Sequence, residues 1–274
     1  MEKFSVSICV YGGDNPAYFD IAMQSIFNQT LKPDEVVLVV DGPVGEDINN
    51  VILKYQNDNL KIIRLEKNVG HGDARRIGLE NCTYDLVALM DADDISSNDR
   101  FRKQIDAFIK NPDVSIVGGQ ISEFIDDTSN IVGQRIVPLE DNDIKEYMKK
   151  RCPMNQVTVM FKKSDVLSVG GYIDWYCEED YYLWIRMALA DLKFANVKDV
   201  LVNVRVGNEM YQRRGGLKYF KSEAKLQRFM LDNKVINVSR YIVNVTQRLI
   251  LQVLMPNWLR GIVFKIFARE KTER

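Results

Sequence analysis

Asp91-Ala92-Asp93-Asp94 sets three carboxylates around one small residue, directly after the apolar run Leu86–Met90. Two aspartates so spaced can share a divalent cation and leave its other positions to phosphate oxygens. The same run suits a turn or a helix cap before Asn98-Asp99, since aspartate is favoured in both roles. Asp41, in Val39-Val40-Asp41-Gly42-Pro43, can accept from the N3–H of a uracil-like base or from a ribose hydroxyl; the plain alternative is a turn aspartate. Asn68-Val69-Gly70-His71-Gly72-Asp73-Ala74-Arg75-Arg76 is a glycine-bearing loop opening a helix, and helix N-termini and arginines both suit phosphate. A second acidic cluster, Glu178-Glu179-Asp180, begins another helix, where the dipole favours negative charge. A carboxylate crowded by neighbours and aromatic rings there also gains the basicity of a general base. Arg205 and the run Gln212-Arg213-Arg214-Gly215-Gly216 fit a mobile basic loop that closes over phosphates, or else a solvated charged loop.

These runs follow elements that the pattern of the chain predicts. Phe4–Val10 is a strand, and Asn15-Pro16 then supplies a cap and a proline at the first helical position. Tyr18, Ile21, Ala22, Ser25 and Ile26 follow helical spacing up to Asn28. Strands at Glu35–Val40, Lys61–Leu65 and Leu86–Met90 alternate with helices near Glu46–Gln56 and Asp73–Cys82. This βαβαβαβ order predicts an α/β protein with a mostly parallel sheet covered on both faces. Ligands of such sheets bind beyond the carboxyl ends of the strands, where the acidic runs lie. Further on, a helix is expected near Asp99–Asn111, and strands at Val114–Val117, Ile121–Ile125 and Val157–Phe161. Asp126–Asn130 reads as a turn, and Glu178–Ala190 as a helix.

Composition removes several alternatives. The 274 residues contain one histidine, His71, so multi-histidine metal sites are excluded, and no nucleophile-elbow motif accompanies it. Cys9, Cys82, Cys152 and Cys177 form no CxxC pair and read as buried thiols in a reducing compartment. No signal peptide and no run long enough to span a membrane is expected, which places the body in the cytoplasm. The net charge of −1 carries no nucleic-acid signature, but it is unevenly distributed. Residues 217–274 hold 12 Lys and Arg against 4 Asp and Glu, a net of +8, whereas residues 1–216 hold 25 against 34, a net of −9.

Taken in order, VYGG, VVDG, NVGHGDARRIG, ALMDADD, GGY and EEDYYLWIR resemble family 2 glycosyltransferases with the GT-A nucleotide-sugar fold, over roughly residues 4–205. CPMNQVTVMFKKSDVLSVGGY, LVNVRVGNEMYQRRGG and LMPNWLRGIVFKIFARE bring the chain nearer the bacterial exopolysaccharide and O-antigen branch. The resemblance implies a GT-A domain over 1–216 and a basic helical tail over 217–274. It implies that Asp41 reads the base of a nucleotide-diphosphate sugar, that Val10 and Tyr11 contact the nucleotide, and that Asp73 and Arg75 lie near it. Asp91 and Asp93 correspond to the DXD carboxylates that hold Mg²⁺ or Mn²⁺, with Asp93 the direct ligand. Glu179-Asp180 corresponds to the ED pair, with Asp180 the catalytic base of an inverting transfer, and Arg213 or Arg214 stabilises the departing diphosphate. Where relatives often carry Asn-His, this chain has Asn155-Gln156, which removes any histidine role there.

Three rival classes fit less well. A nucleotidyltransferase would carry a basic glycine-rich loop after the first strand, whereas Tyr11-Gly12-Gly13-Asp14 has no basic residue, and a dehydrogenase would need GxGxxG there. A non-catalytic sugar-binding module would leave both acidic clusters unexplained. The tail has two readings. Trp258, Leu259, Ile262, Val263, Ile266 and Phe267 recur at helical spacing with Arg260, Lys265 and Arg269 off the stripe, and Asn244, Arg248 and Gln252 form a polar line upstream. Such helices suit an anionic membrane surface near a polyprenyl-diphosphate-linked acceptor, or they pack on the body or between two copies as a homodimer.

Overall fold

The computed structural model describes residues 2–57, 59–207 and 216–255. The first strand, β1 (Phe4–Tyr11), leads into α1 (Pro16–Phe27), where the Asn15 side chain accepts from the N–H groups of Ala17 and Tyr18. The buried stripe of α1 is Phe19, Ala22, Met23 and Ile26, while Ile21 is exposed. The apolar face is therefore rotated from the one the spacing suggested, because Phe19 and Met23 complete a wider i, i+3, i+4, i+7 set. Next come β2 (Glu35–Asp41), α2 (Glu46–Lys54), β3 (Leu60–Arg64), α3 (His71–Asn81) and β4 (Leu86–Met90). Each of these matches its expected element to within two residues or so.

The second half departs from expectation more often. It runs through β5 (Ile95–Ser96), α4 (Arg100–Lys110), β6 (Val114–Phe124), β7 (Ile131–Arg135) and α5 (Asp141–Met148). It continues with β8 (Met160–Lys162), α6 (Lys163–Ser168), α7 (Glu179–Leu189), β9 (Lys193–Arg205), α8 (Leu217–Asp232) and α9 (Val238–Leu249), and Ile250–Leu254 adds one π-helical turn. Gly118-Gly119 looked like a break between two strands, yet β6 passes straight through it. A side chain at Gly118 would collide with Asn196 and Met154, and one at Gly119 with Leu201, so these glycines permit close approach of β9. The expected strand at 157–161 is a 3-10 turn, Gln156–Thr158, followed by the shorter β8.

Among the described residues the strands form one sheet in the order β3-β2-β1-β4-β8-β6-β9-β5, with β7 beside β6. The β3-β2-β1-β4 half is parallel, as the alternation predicted. Beyond it the sheet is mixed: β8 runs antiparallel to β4 and β6, and β9 is parallel to β6 but antiparallel to β5. Both faces are covered. Val36, Leu38 and Val40 of β2 face the core under α1, α2 and α4, while Val37 faces the core shared with α3, α7 and α8. That period-two division is what a strand buried on both sides requires. Leu226 and Met230 of α8, with Ile236 after it, pack in the same core as Trp184 of α7.

Candidate active site

Register places the expected site residues on one edge. Tyr11 lies beside Asp41 where β1 and β2 end in parallel, and Ile8 lies beside Met90, so Asp91 follows at the same level. A cleft of about 710 Å³ opens there, lined by residues including Val10, Tyr11, Asp14, Asp41, Asp91 and Asp93. Asp41 is only 5% exposed and accepts from the N–H of Val69 at 2.7 Å and of Gly70 at 3.2 Å. Its carboxylate thus fastens the 68–76 loop across the end of β2 while forming part of the cleft wall. Gly42 makes this possible: its φ is +87°, and a Cβ there would stand 2.6 Å from the Asn68 nitrogen.

Arg75 lies buried behind the cleft and joins the two acidic clusters. Its guanidinium donates to Asp91 Oδ1 at 2.8 Å and to Glu179 Oε1 at 3.3 Å. Burial opposes the charge on Asp91 most strongly, but Arg75 together with His71 and Arg100 holds that carboxyl below the usual range. Glu179 is raised by burial and by Asp180, with Arg75 pulling it back. Asp180 stands in the first turn of α7, its Oδ1 accepting from the N–H of Tyr181 at 2.6 Å and its Oδ2 lying 3.8 Å from the Cys152 thiol. Burial and then the charge of Asp180 hold that thiol neutral. Gln156, at the position where a histidine was the expected pattern, donates to the Tyr172 hydroxyl at 3.1 Å. Asp73 pairs with Arg76 at 3.2 Å and is not among the residues lining the cleft. Arg213 and Arg214 lie outside the described residues.

Residues 5–168 match the Glycosyl transferase family 2 pattern. The chain belongs to this family. It is 38% identical over 268 residues to the UDP-Gal:alpha-D-GlcNAc-diphosphoundecaprenol beta-1,3-galactosyltransferase of Escherichia coli, covering 97% of each chain. It is 40% identical over 229 residues to the amylovoran biosynthesis glycosyltransferase AmsE of Erwinia amylovora, covering 83% of this chain and 85% of that one. Its fold matches the mannosyltransferase PcManGT of Pyrobaculum calidifontis, solved with GDP-Man and Mn²⁺, at a TM-score of 0.63 and 13% identity, over 94% of this chain and 72% of that one. The glycosyltransferase therefore has the expected GT-A architecture, and the dehydrogenase and nucleotidyltransferase readings lapse.

Two residues at this candidate site of the glycosyltransferase, Asp14 and Arg100, escaped the sequence reading, and Arg205 is placed otherwise than expected. Asp14 reaches the cleft from the turn after β1, and its Oδ2 accepts from the N–H of Tyr11 at 3.0 Å. Burial, together with the charges of Asp93 and Asp91, pushes its carboxyl up to about 6. Arg205 is no loop arginine. Its backbone N–H donates to Asp94 at 2.9 Å, its side chain donates to the carbonyls of Asp93 (3.2 Å) and Asp126 (2.8 Å), and its guanidinium stacks 3.8 Å from the Tyr18 ring centre. Arg100 is fully buried beneath the acidic turn and donates to the carbonyl of Leu89 at 2.7 Å. An aspartate after the first strand was a visible signal for Asp14, nothing local marked Arg100, and Arg205, expected in a mobile loop, ends β9 instead. Cys177, expected to be buried, is exposed at φ 59°.

The donor set fits a divalent cation. Among the described residues no three His, Cys, Asp or Glu side chains form a closed cage. Asp91 and Asp93 nevertheless offer hard oxygens in the cleft, with the carboxylate of Asp14 lining the same wall.

Proposed function

We propose that this chain is an inverting, divalent-cation-dependent glycosyltransferase that moves a sugar from a nucleotide-diphosphate sugar to a hydroxyl of a polyprenyl-diphosphate-linked saccharide, in surface polysaccharide synthesis. The carrying observation is Arg75, which links the DXD carboxylate Asp91 to Glu179, next to Asp180. Donor and base ends of a transfer reaction thereby share one rigid frame. Asp41 accepts from the nucleotide base while Val10 and Tyr11 form the adjoining wall. Asp180 takes the proton of the acceptor hydroxyl as that oxygen attacks the anomeric carbon in line, and the configuration inverts. Mg²⁺ or Mn²⁺, held by Asp93 with Asp91 beside it, would neutralise the charge of the departing diphosphate. Arg213 and Arg214 add positive charge to the same leaving group. A covalent intermediate is not needed, and burial keeps Cys9 and Cys82 from serving as nucleophiles by pushing both thiols up to about 12.

Two relatives support these finer points. The Escherichia coli enzyme is named for a UDP-Gal donor and a diphosphoundecaprenol-linked acceptor, and the Pyrobaculum structure contains Mn²⁺. A lipid-linked acceptor puts the reaction at a membrane, met on the cytoplasmic face through the helices after residue 216. The test is release of nucleoside diphosphate from a panel of nucleotide sugars with Mn²⁺ and a diphosphate-lipid acceptor. Transfer with inversion at the anomeric carbon, read by NMR of the product, is expected. Retention of configuration, or turnover undiminished by excess chelator, would remove the corresponding part of the mechanism.

A further inference from the structure

The helix α9 is built inside out. Its buried stripe is polar: Asn244 donates to the carbonyl of Lys149 at 2.8 Å and to Gln227 at 2.7 Å. Arg248 pairs with Glu223 at 3.0 Å and donates to the carbonyl of Lys150 at 3.1 Å, and Gln252 also donates to Glu223. Tyr241 packs inward, but most of the helix's apolar side chains face the other way: Val238, Ile242, Val243 and Leu249, continued by Ile250 and Leu254 of the π-helical turn, are exposed, Ile242 by 56% and Leu254 by 67%. A surface helix in water ordinarily buries the apolar stripe and solvates the polar one. Here the polar bonds anchor the helix to α5 and α8, so it cannot roll to hide its apolar side without breaking an ion pair and leaving Glu223 buried alone.

Charge identifies what covers that side. Of residues 233–255, Lys234 and Arg240 are the basic ones left outside the buried stripe, Arg248 being paired with Glu223, and there is no Asp or Glu; in sequence, residues 256–274 add five Lys and Arg against two Glu. A second copy meeting this chain face to face would set like charges together, as α9 would oppose α9. A surface that is apolar within and negative at its edge complements it on both counts. We infer that the outward apolar face of α9 seats in an anionic lipid interface, with Lys234 and Arg240 beside it. The inference deepens the proposed lipid-linked acceptor by naming the face that meets the membrane. The bonded polar stripe makes the seating rigid: Glu223 lies on α8, whose Tyr219 donates to Glu178 at 2.9 Å, one residue before the Glu179-Asp180 pair. Docking through α9 would therefore hold the base end of the cleft at a set height above the lipid.

The test uses the full chain and its Ile242→Glu/Leu249→Glu/Leu254→Glu variant. Each is sedimented at low salt with vesicles of phosphatidylcholine alone or mixed with phosphatidylglycerol. The wild type should bind the mixed vesicles, and the variant should lose at least about tenfold in partition, since it removes apolar contact and adds repulsion. All three positions are exposed, so the thermal melt should stay within a degree or two of the wild type. The idea is overturned if the wild type ignores the mixed vesicles, or if the variant binds them equally well. It is also overturned if the variant merely splits a dimer while vesicle binding persists. Vesicle binding is read without substrate, so failure of the transferase assay would count against the proposed reaction and not against this face.

Discussion

The two acidic clusters are built from the same residue types but balanced by different partners. After β4 arginines stand against part of the run: Arg75 donates to Asp91, the Arg205 backbone N–H donates to Asp94 and its side chain to the Asp93 carbonyl, and Arg100 lies under the strand end, while Asp94, buried beside Asp93 and Asp91, is held well above the usual carboxylate range. At the start of α7 the partners are neutral donors and like charges. Tyr219 donates to Glu178, the Cys152 thiol lies beside Asp180, and Glu223 stands close behind. Glu178 is accordingly held well above the usual carboxylate range by burial, by Glu223 and by Asp180, whereas Asp91 is held below it. Asp91, bonded to a guanidinium, stays ionised and can hold a cation, unlike its buried neighbour Asp94. A carboxylate crowded by others and short of positive charge favours the proton. Arg75 is the side chain that touches both, and it marks the boundary between the two regimes.

The sharpest way to break this contrast is at the cation end. Asp93→Ala should abolish divalent-cation-dependent donor binding in calorimetry, and Mn²⁺-dependent binding that persisted would unseat the DXD assignment. At the proton end, Asp180→Asn should keep donor affinity but lose roughly 10²–10⁴-fold in turnover, because only proton acceptance is removed. Turnover close to wild type would hand the role to Glu179 or Glu178. Cutting the link itself is a stability experiment. Arg75→Met removes the buried guanidinium, leaves the half-buried Asp91 and Glu179 without their cation, and should cost about 3 kcal/mol in urea unfolding. Adding Glu179→Gln should restore part of that, and a purely additive double variant would show that the two regions are not coupled through Arg75.

The smallest expected effect sharpens the contrast by pH. With its folded value raised to about 6, Asp14 contributes stability at low pH that is lost as pH rises through that value. Asp14→Asn should thus match the wild type below pH ~4 and exceed it above pH ~6, by about 1 kcal/mol after allowing for solvent screening. Added Mn²⁺ should narrow the difference by neutralising the same negative field. Thermal melts across that pH range, with and without the ion, would reveal it, and a variant less stable at pH 8 would contradict the crowded-carboxylate picture.

Much of the site was legible because its residues announce themselves locally. Asp41, Asp91 and Asp93 each follow a β-branched or apolar run, and strand ends in parallel sheets are where ligands bind. Periodicity alone located β1 to β4 and the helices between them. It did not reveal β9, whose alternation is weak because it is only half-buried along most of its length. It also missed α5 and α6, whose six to eight residues are too few to display a clear helical stripe.

What the sequence determined by itself, then, is the order of elements, the two-faced burial of the first strands and the position of the acidic turns, since each depends on neighbours within a few residues. Tertiary structure decided which charges meet. Arg75 reaches Glu179 across 104 positions and Arg205 reaches Asp94 across 111, and neither pairing has a local signature. It also decided which side of α9 is inside. Asn244, Arg248 and Gln252 read as a polar line on an otherwise apolar helix, with no indication of which side faces inward. They are buried because Glu223, Gln227 and the carbonyls of Lys149 and Lys150, brought from other elements, supply the partners that make burial of a polar stripe tolerable.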